Sequence, residues 1–376
     1  MKQVYLDYNA TTPVAPSVFE AMEPFFKTHY GNPSSSHAKG RAAAEAIEDA
    51  RMRVAGLLAC DREEIVFTSG GTGSNNLAIK GVMLADGRPR GHMIISEIEH
   101  PAVTVPARFV EKLGCEVTVV GVNSDGVVDP TEVKNAMQPD TRLISIMHAN
   151  NEIGTIQPLR EISELCRSSS VLLHTDAAQS VGKISTHVDE LGVDLLTVAG
   201  HKLYGPKGVG ALYVREGIQL EPVLHGGDQE SGMRGGTENT AFIVGLGQAS
   251  KLADRCLDES FERMASLRDR LYRKLCEGTG LDLPINGQQS PRLPNTLSVR
   301  IPGSKGAEIL SRCPEVCGST GSACHSDIGS ISATMVAIGL GMDEAVATLR
   351  LSVGWYTSQE DVDYAANALV GAWETR

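Results

Sequence analysis

The sequence lacks the features that mark membrane, secreted and disordered proteins. It has no apolar run of about 18 residues, the length that a helix needs to cross a membrane. It begins without the apolar core of a signal peptide or the Arg-rich pattern of a transit peptide. Its hydrophobic fraction, 41%, is far above that of a disordered chain. We therefore expect a folded cytoplasmic protein.

The sequence also lacks an excess of positive charge and any CxxC pair of cysteines. It has 34 Lys and Arg against 46 Asp and Glu, so its net charge is −12. This charge argues against a nucleic-acid surface, because binding phosphates requires clustered cations. The eight cysteines are scattered, so we expect free thiols in a reducing compartment and no structural metal site.

Short apolar runs alternate with helical patterns through the first part of the chain. The runs are nearly all apolar, as in strands that are buried on both faces of a parallel sheet. They occupy residues 65–68, 93–96, 117–122, 143–147, 171–174, 195–198 and 209–214. Helical periodicity between them is clearest at residues 42–58 and 159–166. The alternation predicts an α/β fold with helices on both faces of the sheet.

The end of this region and the rest of the chain follow a different pattern. The last two runs lie too close together for a helical crossover, so we expect a hairpin and one antiparallel strand. The remaining predicted elements are helices at 240–276, 305–311 and 359–373 and strands at 295–301 and 349–353. We therefore predict two domains, a large one over residues 15–253 and a smaller α+β domain from residues 1–14 and 254–376.

Residues 68–76, which read TSGGTGSNN, lie between a predicted strand and a helical run at 77–84. Their small side chains, including Gly71 and Thr72, let the backbone approach a phosphate at the start of a helix. The segment is neither GxGxxG nor GxxxxGK[ST], so it predicts neither a dinucleotide site nor a P-loop. A capped, flexible turn is the structural alternative.

Two further segments follow the ends of predicted strands. In residues 174–179, HTDAAQ, Asp176 stands where ligands bind in open α/β sheets, although a helix-capping role is the alternative. In residues 200–208, GHKLYGPKG, Lys202 comes directly after a buried strand. A partly desolvated Lys has a lowered pKa and can attack an aldehyde. Lys207 fits an ordinary surface position better, since it lies at the turn.

A polar loop at residues 319–327, STGSACHSD, carries Cys324. Among the eight cysteines this thiol is the one placed to act as a nucleophile, and an incidental loop cysteine is the alternative. His100, Asn151 and Arg350 complete the candidates, because the first two follow strands and the third begins an apolar run. An Arg in that position suits bidentate binding of a carboxylate, although each of the three also fits an ordinary structural role.

Taken together, these segments resemble the cysteine desulfurases of the iron–sulphur-cluster type. The resemblance also includes residues 5–12 (YLDYNATT), 31–37 (GNPSSSH), 234–239 (RGGTEN) and 349–354 (LRLSVG), so it extends over nearly the whole chain. Members of this family are pyridoxal-phosphate (PLP) enzymes of the aminotransferase-like fold, known as fold type I. The resemblance thus implies a mostly parallel large domain and PLP as the cofactor.

The resemblance also implies roles around the PLP ring. Lys202 would bind the aldehyde of PLP, and Asp176 would pair with the pyridine nitrogen and keep it protonated. Gln179 would donate a hydrogen bond to the phenolic oxygen of the ring. His100 would stack on the ring and transfer protons.

The phosphate and the substrate are assigned to other residues by the same resemblance. The residues implied to bind the phosphate of PLP are Gly71, Thr72 and His201. Thr237 would reach the PLP phosphate of a neighbouring subunit, which implies a homodimer. Asn151 and Arg350 would bind the amino-acid substrate, and Asn151 would also contact PLP. The usual Ser two residues before the His of the Lys motif is Ala199 here, so we expect backbone or water to replace its contact to phosphate.

The implied reaction converts L-cysteine to L-alanine and leaves the sulphur on Cys324 as a persulphide for an acceptor protein. The loop around Cys324 is also close to that of selenocysteine lyases, which release selenium from L-selenocysteine, so that activity stays open as the alternative. A non-catalytic scaffold that binds sulphur-transfer partners is a third interpretation. The sequence does not decide whether the acceptor serves iron–sulphur assembly, tRNA thiolation or DNA phosphorothioation.

Overall fold

The computed structural model describes residues 2–320 and 331–375. Its α-helices are α1 (Pro16–Lys27), α2 (Ala38–Leu58), α3 (Gly71–Met83), α4 (Pro101–Lys112), α5 (Pro130–Ala136), α6 (Leu159–Ser169), α7 (Val188–Leu191), α8 (Thr240–Thr279), α9 (Gly306–Arg312), α10 (Ala333–Ala337), α11 (Met342–Val346) and α12 (Gln359–Glu374). Its strands are β1 (Val4–Tyr5), β2 (Ile65–Thr68), β3 (His92–Ser96), β4 (Glu116–Val120), β5 (Thr141–Ser145), β6 (Leu172–Asp176), β7 (Leu195–Ala199), β8 (Gly210–Val214), β9 (Thr296–Arg300), β10 (Val316–Cys317), β11 (Ser319–Thr320) and β12 (Thr348–Ser352).

The seven predicted apolar runs form one seven-stranded sheet in the order β2-β8-β7-β6-β5-β3-β4. The pairs β3–β4, β3–β5, β5–β6 and β6–β7 are parallel. Strand β8 runs antiparallel to both of its neighbours, β2 and β7. The predicted α/β class, the mostly parallel sheet and the hairpin after residue 195 are therefore confirmed.

Both faces of this sheet are covered by apolar side chains. Met93 and Ile95 of β3 belong to one hydrophobic cluster, together with residues of α3 and α4. Ile94, between them, belongs to the cluster on the opposite face, which includes residues of α1, α2 and α6. Successive side chains of a strand point to opposite faces, so nearly every position of a buried strand must be apolar. The continuous apolar runs of the sequence have this cause.

A second core is built around a small antiparallel sheet. Strand β12 pairs with both β11 and β9, and β1 pairs in parallel with β10. Helix α8 serves both cores, since Ala253 lies in the core of the large sheet and Met264 lies in that of the small sheet. Val4 and Leu6 also pack into this second core. The domain boundaries at residues 14 and 253 stay a prediction.

One helix begins earlier than the sequence pattern indicates. The pattern predicts a helical run from residue 77, but α3 begins at Gly71, inside the glycine-rich segment. Its first turn carries Gly, Thr and Ser residues that have no apolar periodicity, and tertiary packing buries Ser74 and Asn75. The segment of residues 68–76 is therefore a strand end followed at once by a helix N-terminus. Within the described part of the chain, no helix is both long and apolar enough to cross a membrane.

Candidate active site

A cavity of about 1010 Å³ lies beside the carboxyl ends of the parallel strands. Thr68, Asp176 and Ala199, the last residues of β2, β6 and β7, all line it. Nine of the predicted site residues line the same cavity: Gly71, Thr72, His100, Asn151, Asp176, Gln179, His201, Lys202 and Arg350. Residues far apart in the sequence are thus brought together at the edge of the sheet where α/β proteins bind ligands.

Lys202 ends a short 3₁₀ turn that directly follows β7. Its Nζ donates hydrogen bonds to the backbone carbonyls of Asn9 at 2.6 Å and Ala10 at 2.8 Å. Burial lowers the pKa of Lys202 to about 8, and the positive charge of Arg350 acts in the same direction. Roughly a tenth of this amine is therefore neutral at pH 7, far more than of an ordinary Lys, and this fraction can act as a nucleophile.

Asp176 ends β6 and is buried, with 7% of its surface exposed. Its Oδ2 accepts a hydrogen bond from Nδ2 of Asn75 at 2.7 Å, and its Oδ1 accepts one from the backbone N–H of Ala178 at 2.9 Å. Both donors are neutral, so they orient the carboxylate without neutralising its charge. Asn75 lies inside the glycine-rich segment, but no sequence pattern indicates that it contacts Asp176.

Gln179 is held from two sides, and Asn9 connects it to the rest of the site. The side chain of Gln179 donates from Nε2 to the carbonyl of Asn9 at 2.9 Å and accepts at Oε1 from Nζ of Lys183 at 3.0 Å. Asn9 itself donates from Nδ2 to Thr296 of β9 and to the carbonyl of Asn151. Neither Asn9 nor Lys183 was a predicted site residue. Their roles depend on partners that only the fold brings close.

The two histidines of the cavity have lowered pKa values. Burial, together with the charges of Lys202 and Lys207, lowers the pKa of His201 to about 4. Burial also lowers the pKa of His100; the charge of Asp176 opposes that shift and the charge of Lys202 adds to it. His201 is therefore neutral at physiological pH, so it can offer a ligand a hydrogen bond but not a full charge.

The N-terminus of α3 provides an opening for an anion. Gly70, which precedes the helix, has a φ of 130°, a conformation that non-glycine residues rarely adopt. A Cβ on Gly71 would lie 3.2 Å from Cβ of Ala199, and one on Gly73 would lie 2.7 Å from Oγ of Ser69. Positions 71 and 73 thus have little room for a side chain, and the glycines there leave the free N–H groups of the first turn and the positive end of the helix dipole accessible.

Arg350, on β12, brings a cation to the cavity from the smaller core. It is buried, with 8% of its surface exposed. One guanidinium nitrogen donates to Oδ1 of Asp7 at 2.8 Å, and another donates to the carbonyl of Asn151 at 3.2 Å. The buried Nε has no hydrogen-bond partner within residues 2–320 and 331–375. A buried donor without a partner is costly, so this guanidinium retains capacity to bind a carboxylate.

Two predicted site residues are not brought into this cavity by the described structure. Thr237 is exposed and does not line the cavity. Cys324 lies outside the described residues, as does most of the loop that carries it. No group of three His, Cys, Asp or Glu suited to a metal ion is found in the part of the chain that the structure describes.

The sequence profile of the family described as aminotransferase class-V matches residues 4–365. The chain belongs to the class-V aminotransferase family. A curated member of similar sequence, cysteine desulfurase IscS of Dictyoglomus turgidum, is 48% identical over 372 residues, which cover 98% of this chain and 94% of the relative.

Solved structures agree with this assignment. A NifS-like protein is 35% identical, covers 100% of both chains and superposes with a TM-score of 0.92. SspA, solved in complex with cysteine, is 38% identical with a TM-score of 0.84 and covers 94% of this chain and 100% of its own. These class-V relatives confirm the fold type and the resemblance to cysteine desulfurases drawn from the motifs. They also favour that interpretation over the selenocysteine lyases.

Proposed function

We propose that this protein is a PLP-dependent cysteine desulfurase, which converts L-cysteine to L-alanine and passes the sulphur through Cys324 to an acceptor protein. One observation carries the proposal: a single cavity is lined by an amine of lowered pKa, Lys202, by the buried carboxylate of Asp176 and by the guanidinium of Arg350. These three groups match the chemistry of PLP and its substrate. The amine can bind an aldehyde, the carboxylate can pair with a cationic ring, and the guanidinium can bind a substrate carboxylate.

The residues of the cavity suit PLP. Lys202 would hold its aldehyde, Asp176 its pyridine nitrogen, and Gln179 its phenolic oxygen. Its phosphate would lie at the open helix N-terminus beside Gly71 and Thr72, with His201 as a further hydrogen-bond partner. PLP bound in this way supplies an electron sink that stabilises negative charge on Cα of an amino acid.

The protein's own groups carry out the remaining steps. Arg350 and Asn151 bind the substrate, Arg350 through its carboxylate. The amine of Lys202 and the ring of His100 hold and move protons near Cα and Cβ. The thiolate of Cys324 attacks the substrate sulphur, so an S–S bond forms while the Cβ–S bond breaks. The electron pair of that bond remains with the Cβ side, which takes up a proton and becomes alanine.

We also propose that the protein is a homodimer in a reducing cytoplasm. The exposed position of Thr237 fits a residue that acts on a partner's PLP phosphate and not on its own. Seven of the eight cysteines lie in the described part of the chain, and all seven are free thiols. A reducing compartment suits an enzyme whose persulphide must reach an acceptor before it is intercepted.

The test is a single turnover of the PLP-loaded protein with ³⁵S-labelled L-cysteine. We expect alanine in amounts equal to the label bound, and we expect that label on Cys324. The variant Cys324→Ala should lose labelling and alanine formation, whereas Cys256→Ala should retain both. Label on Cys60 or Cys166 would contradict the assignment of Cys324. In a parallel run with L-selenocysteine, faster turnover that persists in Cys324→Ala would point to a selenocysteine lyase.

A further inference from the structure

Lys183 is a buried amine that the reaction described above does not use. It lies four residues after Gln179, and 5% of its surface is exposed. Lysine is almost never buried without a paired anion, yet within residues 2–320 and 331–375 no carboxylate forms a salt bridge with Lys183. The partner of its Nζ is the amide oxygen of Gln179, at 3.0 Å. Burying an amine without a carboxylate partner costs free energy of folding, so we expect a role for Lys183 in its contact with Gln179.

The contacts of Gln179 fix which end of its amide faces which neighbour. The backbone carbonyl of Asn9 can only accept a hydrogen bond, so Nε2 of Gln179 must lie on that side, where the distance is 2.9 Å. Nζ of Lys183 donates to the opposite end, Oε1. Rotating the amide by half a turn would place two acceptors together at Asn9 and lose the bond from Lys183. The amide therefore has one preferred orientation.

In this orientation one of the two N–H groups on Nε2 of Gln179 donates to the carbonyl of Asn9, and the other is available to a ligand. Gln179 lines the cavity, so the amide reaches a ligand there as a hydrogen-bond donor and not as an acceptor. We propose that Lys183 is a positioning residue that fixes the amide of Gln179 with its N–H as the donor to the phenolic oxygen of PLP. This inference rests on the proposed function, because it assumes that PLP occupies the cavity.

Lys183 does not need a permanent positive charge to position Gln179, and its surroundings disfavour such a charge. Burial, together with the charges of Lys202 and Arg350, lowers the pKa of Lys183 to about 7. A neutral amine still has N–H groups to donate to Oε1 of Gln179. The amine thus orients the amide without adding a full positive charge behind a cavity that is already lined by Lys202, Lys207, Arg234 and Arg350.

The test compares the pH dependence of the visible absorption of the PLP-loaded full-length protein in variants of the two residues. A donor to the phenolic oxygen stabilises negative charge there, so its loss should move the spectral transition to higher pH. Lys183→Met keeps the length of the side chain and removes the donor. We expect the midpoint to rise by about one pH unit, a tenfold change in the equilibrium, as for the loss of one hydrogen bond to a charged group.

A double variant separates positioning from simple packing. Gln179→Leu should raise the midpoint by a similar amount, and adding Lys183→Met to it should change nothing further. Lys183→Leu, which also lacks a donor and is made in parallel in case the Met variant does not fold, should match it. Lys80→Met, which removes a lysine from α3 away from the cavity, should leave the midpoint unchanged.

Two results would overturn the inference. One is an unchanged midpoint in both Lys183 variants, even if their thermal stability changes. The other is additive shifts in the double variant, because Lys183 would then act independently of Gln179. A wild-type protein that gives no visible absorption with PLP would overturn the proposed function itself, an outcome distinct from the other two.

Discussion

The cavity has two sides of unlike construction. The side formed by the seven-stranded sheet presents Asp176 and Lys202 directly after buried strands, and their hydrogen-bond partners are neutral amide and carbonyl groups. The other side is formed by β12 of the small sheet and presents Arg350, which already has a charged partner, Asp7. A neutral partner orients a charged side chain and leaves its charge available to pair with a ligand. A charged partner competes with the ligand for that side chain.

This difference suggests a division of roles between the two sides. Under the proposed function, the large sheet would provide fixed groups for a cofactor that remains bound through every turnover. The small sheet would provide a cation whose partner can be shared with a substrate that must also leave. Asn9 connects them, because its carbonyl accepts hydrogen bonds from Lys202 and Gln179 while its side chain bonds to Thr296 of β9. Substitutions on the first side should therefore impair cofactor chemistry, and those on the second should impair substrate binding.

The largest effect is expected from Lys202→Ala, on the side of the large sheet. It removes the amine that we propose to hold PLP and to move protons, so desulfurase activity should fall by at least about 10³-fold. The visible absorption of bound PLP should also be lost or strongly shifted. Lys80→Ala is the control and should retain activity. If Lys202→Ala kept a tenth of the wild-type rate, the assignment of this amine would be wrong.

A smaller effect of another kind is expected from Arg350→Leu, on the side of the small sheet. The loss of a charge-assisted contact to the substrate carboxylate should raise KM for L-cysteine roughly 10- to 100-fold. The absorption of bound PLP should persist, and Arg350→Lys should recover part of the affinity. Steady-state kinetics measure the effect. A fall in kcat at unchanged KM would contradict the division between the two sides.

Asn75→Ala tests whether the neutral partner of Asp176 matters. It removes one of two hydrogen bonds to that carboxylate, so kcat should fall by about tenfold or less while PLP remains bound. Asn76→Ala is the matched control, because the side chain of Asn76 bonds to the carbonyl of Thr72 within α3. Equal losses in the two variants would mean that the contact to Asp176 has no special role.

The smallest effect is expected from the charge of Arg350, on the side of the small sheet, acting on the pKa of Lys202, on the side of the large sheet. Lys202 attacks PLP as the neutral amine, so the rate at which the apoprotein incorporates PLP should rise with pH and level off above about 8, the lowered pKa of this residue. The charge of Arg350 contributes to that lowering. Arg350→Leu should therefore move the midpoint to higher pH, by less than about one unit. Stopped-flow absorbance measures it, and a shift to lower pH would contradict the coupling.

Most of the large sheet could be predicted from the sequence because a strand buried on both faces is a continuous apolar run. The predicted run at residues 65–68 coincides with β2, and the hairpin of β7 and β8 was expected from the short connection. The first turn of α3 was missed, since its Gly, Ser and Asn residues carry no periodicity and are held by contacts such as that of Ser74 Oγ with the carbonyl of Ala211. The two-residue strands β1, β10 and β11 exist through their partners alone and gave no local signal.

The residues of the candidate site also fall into those that could be found from the sequence and those that could not. Lys202, Asp176 and Arg350 could be selected as candidates because each combines a reactive group with a position at a strand end or in an apolar run, while the family resemblance supplied their expected roles. Asn9, Asn75 and Lys183 could not be recognised, since their roles depend on partners that only the fold brings close.

The sequence by itself determined the class of fold and the inventory of reactive groups, because hydrophobic periodicity and residue chemistry are local properties. Tertiary structure alone decided which neutral group faces each charge. Asn9 and Thr296 are 287 positions apart and share a hydrogen bond of 2.8 Å, and Asn75 and Asp176 are 101 positions apart and share one of 2.7 Å. Short-range forces such as hydrogen bonds act only after packing of the two cores has brought these groups together.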